Sequence, residues 1–229
     1  AYGIRNTFGM DFDPVTKKLW DTENGNTFGD EINLVNPGFN SGWEKIQGFW
    51  QTTGNGNYYS GKFTLNPTGL VNFGGKGKYR SPEFVWLNNT GPTAIKFLNS
   101  DKLGKQYQND MFVAGFHDGT IYHFKLNQNR TSLILRGPLA DKIEHNPADM
   151  QQAGTVFAKG FGAITDLEVG PYDGYLYVLT FDGTIYRIVP LNPISSSNES
   201  HTLSTSSSPS SPSTTSPPAT SSPILPFLG

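Results

Sequence analysis

The sequence contains no cysteine, which excludes disulfide bridges and thiolate metal sites and leaves the redox compartment open. It also has no run of roughly 18 apolar residues, the length that a membrane-spanning helix needs. Charged residues make up only 16% of the chain, the formal net charge is -2, and no basic stripe occurs. We therefore expect no nucleic-acid partner. The chain begins at Ala1 without a leader or initiator methionine, so we expect a longer parent protein.

What the sequence has in quantity is glycine, proline and aromatic residues. It contains 26 glycines and 16 prolines, and aromatic residues make up 13% of the chain. The glycines and prolines stand between short aromatic and β-branched runs, a pattern typical of many short strands joined by tight turns. This composition predicts an all-β domain over residues 1–191.

An internal repeat indicates which kind of β fold to expect. The pentapeptide Asp-Gly-Thr-Ile-Tyr at 118–122 recurs at 182–186, and each copy follows an apolar run. Asp-Gly between two such runs predicts a hairpin, since glycine accepts the positive φ that tight hairpin turns use. Further strands are expected at 93–97 and 164–169, and a third unit at 9–22. Repeated small antiparallel sheets favour a β-propeller, with a β-sandwich as the alternative.

Three units would not close a ring, because propellers use about 4–8 blades. We expect the remaining blades ahead of Ala1. The Gly-, Asn- and Tyr-rich stretch 47–80 is interpreted as a long insertion with room for a hairpin of its own. One helical turn is expected within 141–152.

The composition changes after Pro190. Residues 195–222 are almost entirely Ser, Thr and Pro, which bury too little apolar surface to offset the entropy of ordering. We therefore predict a disordered tail over 192–229, whose apolar end could lead to a membrane anchor. Such tracts are typical of cell-surface stalks, and sequons at Asn88, Asn129 and Asn198 also favour an extracellular or cell-surface protein.

The stretch 3–43 carries the residues most suited to chemistry. Arg5 and Asn6 stand just before a strand, a loop around Gly25 offers backbone carbonyls, and Asp30 and Glu31 enter the next strand. Arginine is a forked donor suited to carboxylates. Loop carbonyls beside acidic side chains are oxygen ligands of the type that Ca²⁺ uses. This combination would suit a polycarboxylate cofactor held through a metal.

In order, the motifs of this stretch are Arg-Asn, a strand, Trp-x-x-Glu-x-Gly, Asp-Glu-Ile-Asn-Leu and Pro-Gly-x-Asn-x-Gly-Trp. The series resembles the glucose/sorbosone dehydrogenase family of soluble quinoprotein sugar dehydrogenases, over about residues 3–190. The resemblance implies a six-bladed β-propeller, present here as an incomplete set of blades. It also implies pyrroloquinoline quinone (PQQ) and Ca²⁺ as cofactors. The reaction it implies is oxidation of the sugar C1 hydroxyl by hydride transfer to the quinone, followed by transfer to an electron acceptor.

The resemblance also assigns roles to residues. Arg5 and Asn6 would contact the quinone, and the backbone carbonyls of Gly25 and Asn26 would hold the cofactor Ca²⁺. The histidine that serves the family as general base lies upstream of the Arg-Asn motif, so it would precede Ala1.

Asp30 and Glu31 would belong to a structural Ca²⁺ site by the same resemblance. Three positions depart from the family pattern. His117 stands where the family has a lysine and is the candidate to replace it in binding the cofactor, and Ala163 and Thr165 stand where the family has an Arg-x-Arg pair. The missing cations favour an alternative, a non-catalytic extracellular propeller that binds carbohydrate or protein. The intact Arg-Asn and Asp-Glu-Ile-Asn-Leu motifs favour the dehydrogenase.

Overall fold

The computed structural model describes residues 1–53 and 59–191, and this part of the chain is nearly all-β. Its one α-helix, α1, covers Pro147–Gln152 and falls within the stretch expected to hold a helical turn. No helix in the described ranges is long and apolar enough to cross a bilayer. The predicted tail at 192–229 and the sequon at Asn198 lie outside the described residues.

The first sheet is formed by an antiparallel meander that a later strand extends. Its strands are β1 (Thr7–Phe12), β2 (Leu19–Glu23), β3 (Asp30–Val35), β9 (Phe84–Trp86) and β13 (Ile143–Glu144), in that spatial order. The last of these, β13, pairs in parallel with β9. An insertion separates β3 from β9 along the chain, although the two strands are neighbours in the sheet.

Two further antiparallel sheets follow. The second contains β10 (Pro92–Phe97), β11 (Met111–Gly115), β12 (Thr120–Phe124) and β14 (Val156–Lys159); the third contains β15 (Ile164–Val169), β16 (Leu176–Thr180) and β17 (Ile185–Ile188). Strand β10 contacts both β1 and β15, so the first strands of the three sheets run side by side. This is the arrangement of adjacent propeller blades. The number of blades in the ring stays a prediction.

Strand β11 shows how the sequence specifies the packing of these sheets. Successive side chains of a strand point to opposite faces. Met111 and Val113 join the apolar cluster shared with the first sheet, whereas Phe112 and Ala114 join the cluster shared with the third sheet. The strand is therefore buried on both faces, which is why its sequence is a continuous apolar run rather than an alternation.

Polar contacts also connect β1, β10 and β15, the first strands of the three sheets. The backbone N–H of Phe97 donates to Asp11 Oδ2 at 2.8 Å, joining β10 to β1. The ammonium of Lys96 lies 3.0 Å from a Glu168 carboxylate oxygen on β15 and 3.9 Å from Asp11. Thr93 Oγ1 donates to the carbonyl of Ile164 at 2.6 Å. One strand, β10, thus fixes the relative position of all three sheets.

Both copies of the Asp-Gly repeat form the predicted hairpins, β11–β12 and β16–β17. Each connection is four residues long, and its glycine has positive φ, 60° at Gly119 and 87° at Gly183. The Asp118 carboxylate accepts hydrogen bonds from the Thr120 amide and the Tyr122 hydroxyl. The aspartate therefore caps the turn while the glycine supplies its backbone conformation.

The insertion between β3 and β9 contains short strands of its own. They are β4 (Phe39–Asn40), β5 (Ile46–Gln47), β6 (Trp50–Thr52), β7 (Tyr59–Phe63) and β8 (Lys78–Tyr79). Strands β5, β6 and β7 form an antiparallel sheet, which includes the expected hairpin, and β4 pairs in parallel with β8. The insertion lies beside the β2–β3 loop and contributes to the site described below.

The outer faces of the first and third sheets expose rows of apolar side chains. On β1, Phe8, Met10 and Phe12 are 63%, 64% and 59% exposed. On the third sheet, Ile185 of β17 is 66% exposed, and Phe181 in the preceding turn is 75% exposed. Monomers seldom leave such rows uncovered. These are the faces on which the further blades of the predicted ring would pack.

Candidate functional site

The loop between β2 and β3 is folded around the carboxylate of Asp30. Its Oδ1 accepts a hydrogen bond from the Gly25 amide at 2.7 Å, and its Oδ2 accepts from the amides of Thr90 and Gly91 at 2.8 Å each. Position 25 leaves no room for a side chain, since a Cβ there would lie 1.9 Å from the Phe28 carbonyl oxygen. Asp30 therefore joins this loop to the connection that leads into β10.

The side chain of Arg5 extends over the same loop. Its Nη1 donates to the carbonyl oxygens of Asn24 at 2.8 Å and Gly25 at 3.1 Å, and its Nη2 donates to Asn26 Oδ1 at 3.3 Å. The guanidinium carbon also lies 5.3 Å from the centroid of the Trp43 ring, a cation–π contact. A positive charge thus lies against the Gly25 carbonyl, one of the two that the resemblance assigns to Ca²⁺.

The oxygen atoms of this loop suit a hard cation. Two carbonyls and one amide oxygen converge on Arg5, and Asn24 Oδ1 is a buried acceptor without a hydrogen-bond partner. Carbonyl and side-chain amide oxygens are ordinary Ca²⁺ ligands. The contact made by Asn26 uses its side chain, whereas the sequence prediction named its backbone carbonyl. No group of three or more His, Cys, Asp or Glu placed to hold a metal occurs within 1–53 and 59–191.

Three acidic side chains are buried next to this loop, on β2 and β3. Glu23 lies directly opposite Glu31 in the strand register, and Asp21 is two residues before Glu23. Ser41 Oγ lies 2.7 Å from a Glu23 oxygen and 3.2 Å from a Glu31 oxygen. A hydroxyl has one proton to donate, so its contact with both carboxyl groups is best satisfied when one of them carries a proton.

The environment of this cluster favours protonation. Burial raises the pKa of Asp21 to about 6 and that of Glu23 to about 7. Burial, reinforced by the charge of Glu23, raises the pKa of Glu31 well above its usual value. The hydroxyl of Tyr79 is also buried without a partner, and burial together with the charge of Glu31 raises its pKa. The cluster therefore holds protons near neutral pH unless a cation compensates its charge.

Of the residues predicted for the site, most lie at this end of the sheets. The carbonyl of Asn6 accepts from the Asn24 amide at 2.9 Å, and the amide of His117 donates to the Thr90 carbonyl at 3.1 Å. His117 is exposed, and a positive charge on it would lower the pKa of Asp30, which burial raises. The structure thus places Asn6 and His117 beside the two segments, around Gly25 and Thr90, whose amides bind Asp30.

The two positions that depart from the family's arginines lie at the start of β15. Thr165 Oγ1 donates to the Leu179 carbonyl at 3.2 Å, and the Ala163 carbonyl accepts from the Phe181 amide at 2.8 Å. Neither side chain can supply a positive charge to the site. The metal roles of Asp30 and Glu31 stay predictions, although the three amides on Asp30 already use both of its oxygens.

Sequence reasoning missed Asp21, Glu23 and Ser41. A signal existed for the first two, because acidic residues two apart on a strand share one face, and the alternation of β2 could have been followed. Ser41 carried no such signal, since its contact depends on how the insertion returns to the sheet.

Comparison with known proteins adds independent findings. Residues 1–187 match the family model for glucose/sorbosone dehydrogenase. The aldose sugar dehydrogenase YliI of Escherichia coli (strain K12) is 30% identical over 194 residues, covering 84% of this chain and 44% of that protein. The chain thus spans less than half the length of this relative.

Solved structures give the same picture. A crystal structure of the soluble aldose sugar dehydrogenase from Escherichia coli, in its apo form, has a TM-score of 0.52 and 28% identity, covering 78% of this chain and 42% of that one. A crystal structure of a glucose dehydrogenase has a TM-score of 0.57 and 21% identity, with 82% and 46% coverage. The second of these likenesses concerns the fold alone.

Proposed function

The chain belongs to the glucose/sorbosone dehydrogenase family, and from that premise we propose that the protein is a PQQ- and Ca²⁺-dependent aldose dehydrogenase. It would oxidise the C1 hydroxyl of a sugar and pass the electrons to a separate acceptor. The observation that carries the proposal is the convergence of Arg5 and the carbonyls of Asn24 and Gly25 on one loop. That loop combines an anion-binding cation with hard oxygen ligands.

Each part of the site has a task under this proposal. When bound, PQQ supplies the acceptor for the hydride that leaves the sugar C1. Arg5 binds an anionic group of the cofactor through its forked donors, and Trp43 supports the guanidinium from its ring face. The carbonyls of Asn24 and Gly25 would hold the Ca²⁺ that accompanies the cofactor, with Asn24 in place of the Asn26 carbonyl that the resemblance implies, and His117 would be a further donor. The general base would come from the family's histidine.

The proposal includes a consequence of the missing cations. Ala163 and Thr165 replace two arginines of the family pattern, and hydrogen bonds to charged groups contribute roughly 1.5–3 kcal/mol each. We therefore expect this protein to bind the quinone less tightly through side chains and to depend more strongly on Ca²⁺ than a relative that retains those arginines.

Of the two acidic residues assigned to a structural Ca²⁺ site, Glu31 is the stronger candidate. It lies beside Glu23 and Asp21 in a buried cluster whose negative charge a cation would compensate. Both residues already accept hydrogen bonds at both oxygens, Asp30 from three backbone amides and Glu31 from the Gly48 amide and from the side chains of Gln47, Asn33 and Ser41. The negative charge of the neighbouring carboxyl groups therefore distinguishes the two. We propose that a structural metal, if bound, uses Glu31.

Reconstitution tests the function directly. Full-length protein, freed of divalent ions with EGTA and then dialysed, is expected to reduce a redox dye with an aldose only when both PQQ and Ca²⁺ are added. Omission of either cofactor, and replacement of the aldose by a ketose without a C1 hemiacetal, are the controls. If calorimetry detects no quinone binding with Ca²⁺ present, the enzyme proposal fails and the non-catalytic carbohydrate- or protein-binding propeller takes its place.

Export to the cell surface is also a proposal, based on the sequons and the Ser/Thr/Pro tail. Asn88 and Asn129 are exposed, as glycosylation requires. Protein isolated from its native source is expected to lose mass on enzymatic or chemical removal of N-linked glycans, with loss at peptides containing these two residues. Unmodified peptides at both positions would remove this support for an extracellular location.

A further inference from the structure

We propose that Arg5 is a competitor for the cofactor metal: in the cofactor-free protein its guanidinium occupies the carbonyl site that Ca²⁺ takes on binding. The inference rests on the proposed function in one respect, that the carbonyls of this loop bind Ca²⁺. It adds that metal binding requires a movement of Arg5 within the same site.

The guanidinium and the metal would use the same two carbonyl oxygens. A single nitrogen, Nη1, lies 2.8 Å from the Asn24 carbonyl oxygen and 3.1 Å from that of Gly25. A Ca²⁺ ion lies about 2.3–2.6 Å from each oxygen ligand. An ion that bound both carbonyls from the side on which Nη1 lies would overlap the position of Nη1. Two positive charges at this separation would also repel each other strongly.

The main chain of Arg5 is fixed while its side chain can move. The Arg5 amide donates to Glu23 Oε1 at 2.6 Å, and this contact does not involve the guanidinium. The side chain is half-buried and held by the loop oxygens and the Trp43 face. Displacement by a metal thus needs only side-chain rotation. It would release a guanidinium that remains tethered beside the metal, where an acidic cofactor would bind.

Removal of the competitor should strengthen metal binding. Three hydrogen bonds from a charged donor oppose the metal in the wild-type site, and bonds to charged groups are stronger than neutral ones. We expect Arg5→Met to raise the affinity for Ca²⁺, and for Tb³⁺ as its luminescent substitute, by about tenfold or more. Arg5→Lys keeps the charge but loses the fork that spans these acceptors, so it should give a smaller increase.

The experiment uses metal-free full-length protein without quinone. Tb³⁺ luminescence is excited through tryptophan, since Trp43 lies beside the site, and Ca²⁺ affinity is measured by calorimetry and by displacement of Tb³⁺. The matched control is Arg187→Met, because Arg187 also lies over an aromatic ring, that of Tyr175 at 5.5 Å, and pairs with Asp173 on the third sheet. It removes the same charge without touching the loop, and should leave the affinity unchanged. Circular dichroism verifies that each variant is folded.

The outcomes separate the possibilities. Gains for Arg5→Met and Arg5→Lys, with none for Arg187→Met, support competition. Wild-type metal affinity in both Arg5 variants overturns it. A gain in affinity for Arg5→Met with wild-type affinity for Arg5→Lys also overturns it, because that pair of results would indicate charge repulsion alone. Absence of metal binding in every variant also overturns it. Since no quinone is present, failure of quinone binding in a separate titration would refute the dehydrogenase proposal and leave this result intact.

Discussion

Replacement of Asp30 by alanine is expected to lower the free energy of unfolding by about 3–5 kcal/mol in the metal-free protein. The substitution leaves three amides without an acceptor, those of Gly25, Thr90 and Gly91, and the carboxylate that they share is fully buried. Each unsatisfied buried donor costs about 1–3 kcal/mol. Urea denaturation followed by tryptophan fluorescence, with EGTA present, measures the loss.

Asp182→Ala is the matched control, because Asp182 also accepts a hydrogen bond from a backbone amide, that of Thr184, and one from the Thr180 hydroxyl, but it is exposed. We expect a much smaller loss there, because an exposed amide that loses its acceptor can bond to water. Asp30→Asn should also lower the free energy of unfolding, since the NH2 group of the asparagine would face backbone N–H donors. Unchanged stability of metal-free Asp30→Ala, combined with a loss of stabilisation by Ca²⁺, would contradict the scaffold role and indicate that Asp30 is a metal ligand.

The part of the fold that could be predicted is the part encoded locally. Each Asp-Gly hairpin is specified by residues within about ten positions of the turn, and the alternation of apolar side chains assigns faces to each strand. The blade strands at Ile164–Val169 and Leu176–Thr180 therefore follow from the sequence. The number of blades in the predicted ring depends on how whole sheets pack against one another, which local patterns do not encode.

The site could be predicted only as a set of residues in one neighbourhood. Arg5, Gly25 and Asp30 are close in sequence, and their motifs placed them together. The contacts that define their roles are not local, since Asp30 binds amides about sixty residues later. The pairing of Glu23 with Glu31 depends on the register of β2 and β3. A shift of one residue would turn the side chains of one strand to the opposite face of the sheet and separate the pair. Burial of three carboxyl groups together becomes evident only once that register is known.

The buried acidic cluster should make the metal-free protein less stable as the pH rises from about 5 to 8. Burial raises the pKa of Asp21 to about 6 and of Glu23 to about 7, above the values near 4 expected in the unfolded chain. In this window the folded state therefore binds more protons than the unfolded state. The free energy of unfolding is greatest at the low end of the window and falls as the pH rises past the raised pKa values of the folded state. A shift of roughly two pKa units corresponds to about 3 kcal/mol for one group.

Glu31→Gln tests the source of this dependence. Glutamine is neutral at every pH and similar in size, so the variant should depend less on pH than wild type between pH 5 and 8. Its amide group would face the side-chain amide of Asn33, which donates to Glu31 Oε2 at 3.0 Å, so we expect the variant to be less stable than wild type at pH 5. Glu168→Gln is the control, since Glu168 pairs with Lys96 at the surface with a side chain 62% exposed, and it should leave the slope unchanged. A wild-type stability that is constant or rises between pH 5 and 8 in EGTA would contradict the prediction. If Glu31 binds a structural metal, added Ca²⁺ should restore wild-type stability at pH 8 far more than at pH 5, because the cation binds the carboxylate that burial disfavours.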